Sequence, residues 1–137
     1  MIRPFSHIGA LALSAAFAEG CSGTADTPND EVVAGQALTV TSAGGLATGT
    51  VRLEGDHIAE GKNAFLVDFD PTTTEVISAS TLMPVHGHGS ATPTVAHDGS
   101  GYRISDVIFN MPGLWEVRLD IDVAGKPDRV VFNADAP

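Results

Sequence analysis

Residues 114–123 read LWEVRLDIDV, and apolar and polar positions alternate through them without a break. Trp115, Val117, Leu119, Ile121 and Val123 fall on one side, Glu116, Arg118, Asp120 and Asp122 on the other. Successive side chains of a strand point to opposite faces, so this pattern predicts a strand with one face buried and one in water. Residues 64–70, AFLVDFD, repeat it with Phe65, Val67 and Phe69 inward. Weaker period-two segments cover 37–41, 49–54, 75–82, 92–96, 102–109 and 129–133.

Turn chemistry separates these segments: Gly44-Gly45, Asp98-Gly99-Ser100-Gly101, Pro112-Gly113 and Gly125-Lys126-Pro127-Asp128. Within 102–109 the apolar positions change parity, from Tyr102 and Ile104 to Val107 and Phe109. One extra residue near Ser105-Asp106, a β-bulge, accounts for the change. Seven or eight short strands about a dozen residues apart, with no helical stretch after the leader, predict an all-β fold. The expected architecture is an antiparallel immunoglobulin-like β-sandwich. Trp115, the only tryptophan, belongs to its core, and the Cys…Trp…Cys pattern of antibody domains is absent.

The first residues follow a different rule. Residues 8–18, IGALALSAAFA, form an apolar run behind Met1-Ile2-Arg3, with Cys21 just beyond it. The run is too short to span a bilayer and fits the core of a secretory signal. A lipoprotein cut before Cys21 leaves that cysteine lipidated, although Ala18 and Glu19 depart from the usual site. A cut after Ala16-Phe17-Ala18 releases a soluble chain instead. Cys21 is the only cysteine, and an exported soluble protein would carry it as an unpaired thiol, so the lipid anchor is the preferred reading. The expected organisation is a signal over 1–20, lipidated Cys21 with a small, polar, acidic tether through 36, and the sandwich domain over 37–137. Ser22 after the cysteine suits onward sorting to an outer membrane.

The full chain has 7 Lys and Arg against 17 Asp and Glu, a net charge of −10. Loss of the signal removes Arg3 and Glu19, so the balance is unchanged. Such a chain repels phosphate backbones, which argues against a nucleic-acid partner. No Gly-x-Ser-x-Gly elbow, phosphate-cradling loop or His-Glu-x-x-His is present, so a binding rather than a catalytic role is expected. Asp68-Phe69-Asp70 begins like a calcium loop, but Thr73 and Ala79 stand where that loop requires glycine and glutamate.

Chemistry concentrates in LMPVHGHGS, residues 82–90. If 86–88 are extended, His86 and His88 point to one side with Cα atoms about 6.5–7 Å apart, and both rings can reach one ion. Further ligands must come from other loops. Met83 and Met111 are the only methionines after Met1, and each precedes proline. Met83, His86, His88 and Met111 together would select copper, Cu(I) above all. A second grouping, His86, His88, His97 and Asp98, suits Cu(II) or zinc. Against both stands a simpler reading, in which glycine-flanked histidines make a surface turn and Met-Pro pairs plug strand ends. His57 sits in a polar loop and is expected to be inert; His7 leaves with the signal.

The segments GKNAFLVDFD (61–70), MPVHGHG (83–89), PTV (93–95) and GYRISDVIFNMPGLWEVRLDI (101–121) resemble the YtkA-like domain. This is a small exported β-sandwich family related to the FixH-like proteins, and the resemblance covers about residues 50–133. It implies an exported or membrane-attached setting linked to copper handling and respiratory oxidase assembly. It also implies functional weight for Met83, Pro84, His86, His88, Met111, Pro112 and Trp115. Unlike the FixH-like proteins this chain shows no transmembrane anchor, which argues against a place inside a membrane oxidase assembly complex. Two functions are therefore expected to compete. One is a lipid-anchored copper-binding domain, and the other is a non-metal interaction module presenting loops to an unknown protein partner at the cell envelope.

Overall fold

Trp115, Val117, Leu119 and Val130 are fully buried, and the alternation that predicts this runs the length of two adjacent strands. The structure, a computed structural model, describes residues 30–137. Among them are eight strands and no helix: β1 (Leu38–Thr41), β2 (Thr48–Leu53), β3 (Gly61–Asp70), β4 (Glu75–Leu82), β5 (Thr94–Asp98), β6 (Gly101–Phe109), β7 (Gly113–Val123) and β8 (Lys126–Ala136). They form two antiparallel sheets, one ordered β1-β2-β3-β6-β5 and the other β4-β7-β8. The leader, Cys21 and the first part of the expected tether lie outside the described residues.

The sheets pack face to face as a β-sandwich. Phe65 of β3 meets Phe132 of β8 edge-on at 5.1 Å between ring centres. Phe109 of β6 lies 5.5 Å from Trp115 of β7. Offset and edge-on contacts of this kind suit the charge distribution of aromatic rings. The indole N–H of Trp115 donates to the Met111 carbonyl at 3.0 Å, so the largest fully buried side chain among the described residues leaves no polar atom unpaired.

Three local features decide the register. In β6, Asn63 pairs with Val107 but Phe65 with Ile104, so the extra residue lies at Ser105-Asp106, as the parity change predicts. Asp106 takes a positive φ of 53° there. In the β7–β8 hairpin, Val123 pairs with Lys126, and Ala124 and Gly125 both have positive φ, 52° and 82°. That is a two-residue turn whose twist matches the strands. The turn expected over 125–128 is therefore displaced, and Pro127 belongs to β8, whose edge position tolerates a missing N–H.

The third feature corrects the expected tether. Val32 is buried, its N–H donates to Asn133 at 2.8 Å, and the Asn133 N–H donates to Asp30 at 2.6 Å. Glu31 thus pairs parallel with β8. Composition assigns 30–36 to the tether because the segment is short and polar; one well-placed valine docks it on the open edge of β8.

The strands alternate in direction, so loops 54–60, 83–93 and 110–112 gather at one end with the C-terminus. Turns 42–47, 71–74, 99–100 and 124–125 gather at the other.

Candidate functional site

The loop that carries both histidines begins where β4 ends, and its first residues form a closed turn. The Met83 carbonyl accepts from the N–H groups of His86 (3.1 Å) and Gly87 (2.8 Å), and the Met83 N–H donates to His88 at 2.8 Å. Pro84 stands at the second position of this turn, where its fixed φ is already correct. Gly87 has φ 67°, the left-handed region that glycine enters without steric cost. Residues 86–88 are therefore not extended as the sequence reading assumes: Pro84 and Gly87 together favour a turn over a strand.

Two more contacts hold the loop down. A Cβ at position 89 would fall on the Thr81 carbonyl oxygen, so only glycine allows the returning chain to lie this close. The Ser90 N–H donates to the Thr81 hydroxyl at 3.1 Å.

Met83 and His88 face each other as an antiparallel pair, and directly opposed residues share a face of the ribbon. Met83 points into the core at 3% exposure. A Cβ at Gly113 would meet its methyl at 2.9 Å, and Gly113 itself has φ 121°, so the two Met-Pro loops are in contact. On the same face the His88 ring sits edge-on to Trp115, 6.1 Å between centres. His86 stacks on His88 at 5.7 Å with 25° between the ring planes. Both histidines are exposed. The His88 Nδ1 lies 3.2 Å from the Gly89 carbonyl oxygen. A carbonyl oxygen only accepts, so this hydrogen bond requires the proton on Nδ1, and a neutral ring that makes it presents Nε2 as the nitrogen for a metal.

Met83, His86, His88 and Met111 thus collect at one end of the sandwich around Trp115. Met111 is half-buried against the core, with its carbonyl engaged by the indole. His97 and Asp98 do not join them. His97 pairs with Tyr102 across β5 and β6, its ring 4.6 Å from the tyrosine. Asp98 closes the hairpin at the far end opposite Gly101. Tyr102 and Phe109 sit at opposite ends of β6, roughly 20 Å apart at strand rise. The grouping of His86, His88, His97 and Asp98 is therefore not assembled, because β5 carries the latter two away from the turn. Among the described residues no three His, Cys, Asp or Glu side chains converge as a metal site.

The β2–β3 loop around His57, a polar loop expected to be inert, has a defined shape. Asn63, the asparagine of the Gly-x-Asn-x-Phe segment, accepts from the Ala59 N–H at 2.8 Å and donates to the Ala59 and Gly61 carbonyls. The loop it shapes separates two open clefts. One, about 510 Å³, has a charged wall that includes Glu54, Lys62, Arg103 and Asp106. The other, about 560 Å³, is more apolar, with Val32, Val33 and Ile58 in its wall. His57 Nδ1 lies 2.7 Å from Asp56, and that hydrogen bond holds the Asp56 carboxyl below the usual range. Both side chains are largely in water, where such a pair contributes little. The asparagine itself was visible in the sequence, but its burial, which lets it shape the loop, is set by the extension of β3 back to Gly61.

No family model matches the chain, and no curated protein or solved structure matches it.

Proposed function

We propose that this chain is an extracytoplasmic binding domain, anchored by lipid at Cys21, that holds copper at the His86-Gly87-His88 turn. The observation that carries the proposal is the pair of exposed imidazoles 5.7 Å apart on a turn locked by backbone hydrogen bonds. Two imidazoles that share one ion have ring centres about 5–6 Å apart, given metal–nitrogen bonds of ~2.0–2.1 Å. Met111, at the same end of the sandwich, offers a soft thioether, which with imidazole favours Cu(I). Met83 is the poorer candidate ligand, since its buried side chain already fills the space over Gly113.

The same reading places the chain with the YtkA-like exported domains and gives it a binding role, not a catalytic one. The strand order of β2 to β8 supports the immunoglobulin-like part of that reading. It matches the A-B-E-D and C-F-G sheets of a constant-type domain, with β1 added at an edge.

Two observations favour the second reading, a non-metal interaction module. The His88–Gly89 contact is what a purely structural turn would use, and Val85 at the tip is 82% exposed, as a protein-contacting residue would be. Titration of the full chain with Cu(I) against a competing chelator separates the two. A Cys21→Ser background keeps the thiol out of the measurement. Copper held at one site, with affinity falling at least 100-fold in the His86→Ala/His88→Ala variant, supports the copper domain. Equal binding by parent and variant rejects it and leaves the interaction module.

A further inference from the structure

The turn offers two imidazoles and, among the described residues, no third His, Cys, Asp or Glu to complete a set. Two is half of what a four-coordinate site needs. The surroundings of the turn are as unusual as its ligands. In a chain that is 18% charged, residues 82–96 contain no Asp, Glu, Lys or Arg, and neither do 110–115. Glu116, the first charge beyond them, is paired with Arg118 at 2.6 Å. The β4–β7 register ends with Leu82 opposite Glu116, so the turn leaves β4 at the end where residues 110–114 enter β7. Val85 at 82% and Leu114 at 42% are exposed there. The side of this end formed by the histidine turn and residues 110–115 is thus a neutral, partly apolar patch, while Glu54, Asp56 and Glu60 lie in the neighbouring β2–β3 loop.

We propose that this end pairs with the same end of a second copy of the chain. Four imidazoles, His86 and His88 from each, then enclose one copper(II) ion on a two-fold axis. This rests on the copper reading of the turn and deepens it. A two-fold interface uses the same patch on both copies, and four imidazoles are a donor set that copper(II) accepts. Charge selects the patch: chains of net charge −10 repel each other, least where no charged side chain faces the partner. Size makes the pairing conditional. One turn and a few neighbouring side chains bury far less than the roughly 1,200 Å² of a stable interface, so the apolar patch shields the ion but does not hold the dimer without it.

Sedimentation equilibrium of the full Cys21→Ser chain, titrated with copper(II), tests the proposal. The expected result is a single chain in chelator and a doubled mass complete at half an equivalent of copper. The doubling is lost in His88→Ala. Val85→Arg puts a charge at the tip but leaves both imidazoles; it still takes up copper yet stays single. Far-UV circular dichroism checks that both variants remain folded. Copper taken up at one equivalent by a chain that stays single overturns the paired site and leaves the turn as a metal site. Doubling that survives His88→Ala also overturns it. No copper uptake, as Cu(I) or as copper(II), removes both this proposal and the reading beneath it.

Discussion

A side chain at position 89 would fall on the Thr81 carbonyl oxygen, whereas one at position 87 would meet nothing and suffer only from its φ of 67°. The two glycines of the histidine turn are thus needed for different reasons, one for space and one for backbone conformation. Gly89→Ala must push the returning chain off β4 and should cost about 1–3 kcal/mol, as overpacking does. Gly87→Ala should cost about 1–2 kcal/mol, the penalty of a Cβ in the left-handed region. Urea unfolding of the two variants measures both, and Gly89→Ala should also disturb the His88–Trp115 contact seen in indole fluorescence. At this scale the histidines, the Met-Pro pairs and the tryptophan were legible as notable residues. Their arrangement was not, because Pro84 and Gly87 convert an assumed extended segment into a turn, and only the closed turn stacks the rings.

Between strands, the β7–β8 hairpin shows how local chemistry and tertiary context divide the work. Residues 125–128 look like the turn because glycine and proline are strong turn residues. The chain turns instead at Ala124-Gly125, where the register of two long alternating strands puts the reversal. Alanine fits such a position poorly, while asparagine followed by glycine is the favoured pair. Ala124→Asn should therefore raise stability by about 1 kcal/mol, visible as a higher urea midpoint with an unchanged slope. The strands themselves were readable, all eight of them, and so was the bulge in β6, since a strand with one buried face cannot change parity unnoticed. Residues 30–32 were not: a single buried valine gives no periodicity, and parallel pairing with β8 depends on an edge that exists only in the folded sheet.

Across the whole molecule, Asp128 ties the two sheets together at the end away from the histidines. Its carboxylate accepts from the N–H groups of Gly44 (2.8 Å) and Leu46 (3.3 Å) in the β1–β2 turn, and the Ala43 N–H donates to Arg129 at 2.8 Å. Hydrogen bonds from the Ser42 hydroxyl, foremost, and from the Gly44, Arg129 and Leu46 backbone lower its pKa to about 2. In the unfolded chain the value returns to about 3.9. Between those values the unfolded state binds more protons, so stability rises with pH. The contribution is complete above the unfolded value and lost as pH falls through the folded one. Asp128→Ala should therefore lower the unfolding temperature at pH 7, and the gap to the parent should shrink steadily from pH 4 to pH 2. A gap of equal size at both ends of that range would show that the carboxylate is not the tie.

Alternation along the chain determined the strands, the faces they bury and the position of the bulge, because a pleated strand has only two faces and water selects between them. Composition determined that the folded part is acidic and that its charges avoid the histidine turn. The tertiary structure alone decided which strands pair and that residues 30–32 dock on β8. It also decided that β5 carries His97 and Asp98 to the far end while the β4–β5 loop keeps His86 and His88 beside Trp115. Those outcomes depend on contacts between residues distant in sequence, and no local pattern encodes them.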